Sequence, residues 1–182
     1  MNIQINITEN GRTILATAGK YCDRNVDVSV NVPSKDVELA EQKAITDSIL
    51  DRSITEYVND TLTKIGGYTF NYCTSLHTLY CPKVTTIDVY GLGNCKALQR
   101  VDFPKLYSIF SNAFTKSSTL STLILRYNGV CSLKGTDAFN NTPIASGTGR
   151  IFVHNDWVDS YKTATNWSTF ADQIKPISEL GE

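Results

Sequence analysis

Apolar and polar residues alternate with period two at the start of the chain. Ile3, Ile5 and Ile7 alternate with Asn2, Gln4 and Asn6, Glu9-Asn10-Gly11 follows as a turn signal, and a second run comes at Thr13-Ile14-Leu15-Ala16. Gly19 breaks that run, after which Val26, Val28, Val30 and Val32 alternate with Asp27, Ser29 and Asn31 up to Pro33. This pattern predicts three short strands in residues 1–33, with one apolar row packed and one polar row in water. So small a sheet has little core of its own and is expected to pack on a partner or a neighbouring subunit. Residues 34–53 change character. Ser34 suits an N-cap, Asp36 and Glu38 suit a first turn, and Val37, Leu39, Ala40, Ala44, Ile45, Ile49 and Leu50 form a broad apolar stripe. A linking and capping helix accounts for this segment better than an oligomerising coiled coil, since no clean heptad pattern runs through it.

From residue 54 onward the chain copies itself at a fixed spacing, that of Ile65 to Ile87 and of Ile87 to Ile109. Phe70, Leu92 and Phe114 keep the same step, as do Leu76, Leu98 and Leu120; Leu79, Val101 and Leu123; and Cys81, Phe103 and Leu125. One copy cannot bury its own apolar face, whereas stacked copies share a continuous core. Within a copy, Leu79 and Cys81 are expected to point inward from a short strand, with Thr78 and Tyr80 outward. A fourth, looser copy follows, in which Phe139 falls three positions later than the step from Phe114 would place it. Its insertion is expected as a loop at Ser132–Thr136, with a strand at Ile151-Phe152-Val153. Asp156 is positioned to N-cap a closing helix through Val158 and Tyr161. Trp157, Trp167, Phe170 and Ile174 are expected to cover the exposed end of the core, a better account of the two tryptophans than a sugar-stacking platform.

The unit Ile-x-x-x-x-Phe-x-x-Cys-x-x-Leu-x-x-Leu-x-x-Pro resembles the leucine-rich repeat of BspA-like bacterial surface antigens. Ile65, Phe70, Cys73, Leu76, Leu79 and Pro82 match it, as do Ile87, Leu92, Cys95, Leu98, Val101 and Pro104; the third copy departs with Ser117 for Cys and Arg126 for Pro. The resemblance implies a mainly β protein with short helices. Its parts would be a small N-terminal β module (1–33), a linker helix (34–53), a leucine-rich-repeat solenoid of 22-residue period (54–154) and a C-terminal helical cap (155–182). The segment Ile7 to Pro33 further resembles a β module of phage tail and virion-associated proteins, and Asp159 to Leu180 resembles the segment closing such arrays in phage and prophage proteins. These resemblances imply a non-enzymatic phage structural or host-contact protein located in the virion. Its partners would be other virion proteins, further copies of itself, or a host cell-surface protein or glycan. An intracellular phage or prophage protein that sequesters a host or defence factor is the alternative.

Composition narrows the chemistry. A formal charge of −1 with 19% charged residues argues against nucleic acid held by bulk electrostatics. No apolar run reaches the roughly 20 residues of a membrane span, so no membrane insertion is expected, and the first residues lack the pattern of a signal peptide. Five cysteines without a CxxC, and only His77 and His154, fit reduced thiols rather than a disulfide framework or a metal site. Cys73 and Cys95 read as a buried thiol ladder rather than a redox pair, Cys22 as the most exposed thiol and His77 as a surface residue. Ser146-Gly147-Thr148-Gly149-Arg150 reads as a turn rather than a phosphate loop, and the four formal glycosylation sequons read as coincidental. No cofactor and no catalytic motif is expected.

If the array binds a ligand, the outward strand positions are the first candidates. Alternation assigns Glu56, Val58, Thr78, Tyr80, Arg100, Asp102, Thr122, Ile124, Arg150, Phe152 and His154 to that face. Of these, Thr78, Tyr80, Arg100, Asp102, Thr122, Ile124, Phe152 and His154 form the candidate binding set. Tyr80, Ile124 and Phe152 are more apolar than solvent demands, and Arg100 and Asp102 are able to pair with each other. Cross-rung packing is the competing explanation.

Overall fold

The computed structural model of the protein describes residues 3–9, 12–18, 52 and 54–181. The expected strand at Val26–Val32, the helix of residues 34–53 (Arg52 apart) and Cys22 lie outside the described residues. Strands β1 (Ile3–Glu9) and β2 (Arg12–Ala18) pair antiparallel, with Ile7 opposite Ile14 and Glu9 opposite Arg12. Asn10-Gly11, the pair between them in the sequence, is a strong hairpin signal.

From residue 54 the strands alternate between two parallel ladders. The first holds β3 (Glu56–Val58), β5 (Thr78–Tyr80), β7 (Arg100–Phe103), β9 (Thr122–Leu125), β11 (Arg150–Val153) and β12 (Ile174–Pro176). Its hydrogen bonds join β3 to β5, and β7 through β9 and β11 to β12. The second holds β4 (Lys64–Ile65), β6 (Thr86–Ile87), β8 (Ser108–Ile109) and β10 (Ser132–Leu133). Tyr57 pairs with Leu79; Val101, Leu123, Ile151 and Ile174 form one row, and Ile65, Ile87, Ile109 and Leu133 another. The repeat columns of the sequence are therefore physical columns of neighbouring rungs. Leu76, Leu98 and Leu120 are fully buried, and their amides make the same turn bond, to the carbonyls of Cys73, Cys95 and Ser117. Parallel pairing joins each rung to the next without a hairpin, because each rung travels once around the core before meeting its neighbour.

The fourth copy corrects the expected insertion. Ser132–Leu133 is not a loop but β10, pairing with Ser108–Ile109. Leu133 falls two positions later than the repeat step from its partner Ile109 would place it, and Ile151 six positions later than the step from Leu123. The extra residues are spread over the stretches before Ser132, around Gly135 and before Arg150. A two-residue strand with Leu133 as its one buried side chain is too short to stand out from its polar neighbours.

Beyond β11, the helix α1 (Val158–Thr163), a 3-10 segment at Trp167–Gln173 and β12 bring Tyr161, Trp167, Phe170 and Ile174 into the core. Phe114 stacks on Phe139 at 5.4 Å, and Phe170 meets Phe139 edge-on at 5.3 Å. Asp156 does not cap α1, which starts without a side-chain cap. His154 takes that role one turn earlier, its Nδ1 accepting the Asp156 amide at 3.4 Å. The edge of β10 meets side chains rather than another strand. The Tyr161 hydroxyl accepts the Cys131 amide at 2.8 Å, Trp167 Nε1 donates to the Cys131 carbonyl, and Asn166 Nδ2 donates to the Leu133 carbonyl at 2.8 Å. Backbone groups that would otherwise be orphaned at a sheet edge are satisfied in this way. The first ladder ends differently, by gaining β12 as one more strand, which the sequence pattern did not predict.

Candidate functional site

The strand face carries the candidate residues on one side of the first ladder, and they do not form one patch. Val58 and Tyr80 are direct ladder partners, 48% and 55% exposed, flanked by exposed Glu56 and half-buried Thr78. Arg100 is exposed, whereas Asp102 and Thr122 are half-buried. Ile124, expected outward and open, is fully buried. Its ladder neighbours are Asp102 and Phe152, and Arg126 lies two residues on along the same face. Arg126 reaches back one strand to hold the Asp102 carboxylate through Nε at 2.9 Å and Nη2 at 2.8 Å. This fork spans the middle of the face, beside Ile124. Phe152 and His154, both half-buried, stand at the far end beyond this closed centre, beside exposed Arg150.

A second surface lies on the turns that join the second ladder to the Leu76, Leu98 and Leu120 column. Here the chain repeatedly enters the left-handed region at residues other than glycine. Tyr68, Tyr90 and Asn112 have φ of 61°, 56° and 57°; Tyr72, Asn94, Lys116 and Asn141 have φ of 66°, 57°, 60° and 59°. These are two further repeat columns, and they turn alternate amides toward the next rung. Phe70 and Tyr72 donate to the carbonyls of Gly91 and Gly93, Leu92 and Asn94 to Ala113 and Thr115, and Phe114 and Lys116 to Ala138 and Asn140. Of the side chains at the left-handed positions, Tyr68, Tyr72, Lys116 and Asn141 are exposed, Tyr90 and Asn112 are half-buried, and Asn94 is buried. The Tyr68 and Tyr90 rings stack at 5.0 Å with planes 18° apart, and Asn94 Nδ2 donates to Asn71 Oδ1 at 3.0 Å. Together they line a groove of about 550 Å³ that also includes Asn112, Lys116 and Asn140. None of the candidates read from the sequence falls here. The available signal was the recurrence of tyrosine at Tyr68 and Tyr90, one repeat apart, continued by Asn112.

Ionisable groups near these surfaces are tuned for stability. Burial opposes ionisation of Asp88, but the Val89 amide at 2.7 Å and Lys64 at 3.0 Å outweigh it and hold the carboxyl below its usual range. Burial pushes the Cys73 and Cys81 thiols up to about 12, and Cys95 and Cys131 higher still. All four are free and buried, so they pack as small apolar groups. His77 is exposed, and Trp167 is buried in the core rather than shared in a platform with Trp157, whose Nε1 donates to Asn128 Oδ1 at 3.0 Å.

A family model, the BspA type leucine rich repeat region, matches residues 43–152 in six copies. The chain belongs to the BspA-type leucine-rich repeat family. No curated protein matches it. The BspA-type match begins ahead of the first copy read from the sequence at residue 54 and runs into β11. Repeats of this kind point to protein binding.

Proposed function

We propose that this BspA-type protein is a non-enzymatic binding protein of a phage particle, its repeat solenoid presenting the strand face to a protein on the host cell surface. The observation that carries the binding role is the Val58–Tyr80 pair, apolar side chains held side by side on adjacent parallel strands and left about half exposed. Rigid strands hold these side chains at fixed spacing, which lowers the entropy lost on docking. The phage assignment is supported by the resemblance of residues 7–33 and 159–180 to segments of virion-associated proteins. The N-terminal strands would attach the protein to the particle or to further copies of itself.

Two measurements test this reading. Tyr80→Ala with Phe152→Ala should weaken binding to host-envelope protein at least tenfold in surface plasmon resonance, while the variant still unfolds in one cooperative transition. Unchanged binding would remove the strand face. Mass spectrometry of purified particles should find the chain; its absence there, with recovery in the host cytoplasm, would favour the sequestering role instead.

A further inference from the structure

The groove on the turn side has a different chemistry from the strand face. We infer that it is a carbohydrate site, taking a short pyranose oligosaccharide along the stacking direction of the rungs. Tyr68 is 60% exposed, and its ring stacks on that of Tyr90 on the next rung, so the pair offers a ligand its outer faces and its edges. Aromatic faces carry negative quadrupole charge and receive the positively polarised C–H face of a sugar. Beside the rings, Asn71 and Asn140 offer side-chain amides, held in place by the donations of buried Asn94 to Asn71 Oδ1 and of Asn112 to Asp137 Oδ2, each at 3.0 Å. An amide both donates and accepts, as each sugar hydroxyl does.

The dimensions agree. Neighbouring rungs are about 4.8 Å apart, close to the advance of one pyranose along an extended chain. The lining comes from four successive rungs, giving length for about three sugar units. The 550 Å³ of the groove lies in the usual range for small-ligand sites. Gly93, buried behind the groove, leaves two of its lining residues in place. A Cβ there would meet Asn71 Oδ1 at 3.0 Å and Tyr90 Cδ1 at 3.3 Å.

The lining disfavours other occupants. Lys116 is its one cationic side chain among the described residues, too little for a nucleic-acid backbone. A proline-rich peptide docks on aromatic ridges but offers few groups to satisfy these amides. The site is separate from the strand face, so its test is independent of the protein-binding role.

The full chain, fluorescently labelled, is applied to a printed array of neutral and acidic pyranose oligosaccharides of increasing length from the monosaccharide upward, with a decaproline peptide as control. Binding should rise with length and level off near three units. Tyr68→Asn with Tyr90→Asn should reduce it at least tenfold; asparagine suits the left-handed backbone and already occupies this column at Asn112. Gly93→Ala should reduce it as well, while Tyr80→Ala with Phe152→Ala leaves it unchanged. Retention of no oligosaccharide, equal retention by the tyrosine double variant, or preference for decaproline would each overturn the assignment.

Discussion

The Ser117 hydroxyl donates to the Leu92 carbonyl at 2.8 Å and accepts the Cys95 amide at 3.0 Å. One rung earlier the Cys95 thiol makes the equivalent donation, to the Phe70 carbonyl at 3.2 Å. The serine that breaks the cysteine column in the sequence therefore keeps its bond to the preceding rung. Ser117→Ala would strand two buried backbone groups and should cost about 2 kcal/mol in urea denaturation. Ser117→Cys, restoring the column, should cost clearly less; equal losses would mean that the hydroxyl fills space and nothing more.

The buried thiols set an alkaline limit. Their folded values lie above those of the unfolded chain, so unfolding releases protons that the native state retains. Their contribution is fully present below about pH 8.5 and is lost progressively as pH rises toward about 12, where Cys73 and Cys81 titrate. Denaturation midpoints across this range should show the fall. At pH 8, a thiol-specific chromogen should label at most one of the five cysteines in the native protein, since four are buried. Rapid labelling of two or more would contradict the ladder.

Lys116 holds a left-handed backbone at φ 60° in a column where Asn94 and Asn141 do the same. A non-glycine residue in this region carries roughly 1–3 kcal/mol of strain, less for asparagine, whose side chain bonds locally. Lys116→Asn should therefore stabilise the protein by about 0.5–1 kcal/mol. A lower melting temperature would show that the lysine stem contributes packing worth more than the strain.

Trp167 both fills the core and binds the backbone. Trp167→Phe keeps a ring near Tyr161 and Phe139 but removes the donor to the Cys131 carbonyl. The expected loss is about 2–3 kcal/mol, an unsatisfied carbonyl plus a small cavity. A loss no larger than that of an exposed-site substitution would mean that the carbonyl finds another partner.

Much of the stack was legible because its period is physical: residues one repeat apart become ladder partners, so Val101 announces Leu123. Inward positions followed from the same register. Outward positions were harder, since alternation gives the side of a strand but not what lies over it. Ile124 is outward by alternation, yet neighbouring side chains cover it, and the Arg126–Asp102 contact runs diagonally across the strands rather than along one column. The groove was missed for a related reason. Tyr68, Tyr90 and Asn112 share a backbone geometry rather than a hydrophobicity, and apolar columns do not register that. Insertions were misplaced where one strand, β10, has a single buried side chain to mark it.

The way the second ladder finishes bears on how this architecture can change length. Between Ile65 and Ile109 each rung meets the next through interchangeable columns, so whole repeat units can be added or removed without a new kind of contact. The last rung has no such freedom, because Tyr161, Asn166 and Trp167 are fitted to Cys131 and Leu133 alone. With those hydrogen-bonding groups already occupied, a second molecule has nothing there on which to continue the ladder. Variation in reach is open to the interior of this ladder, and its last rung acts as a stopper against edge-to-edge growth along that side.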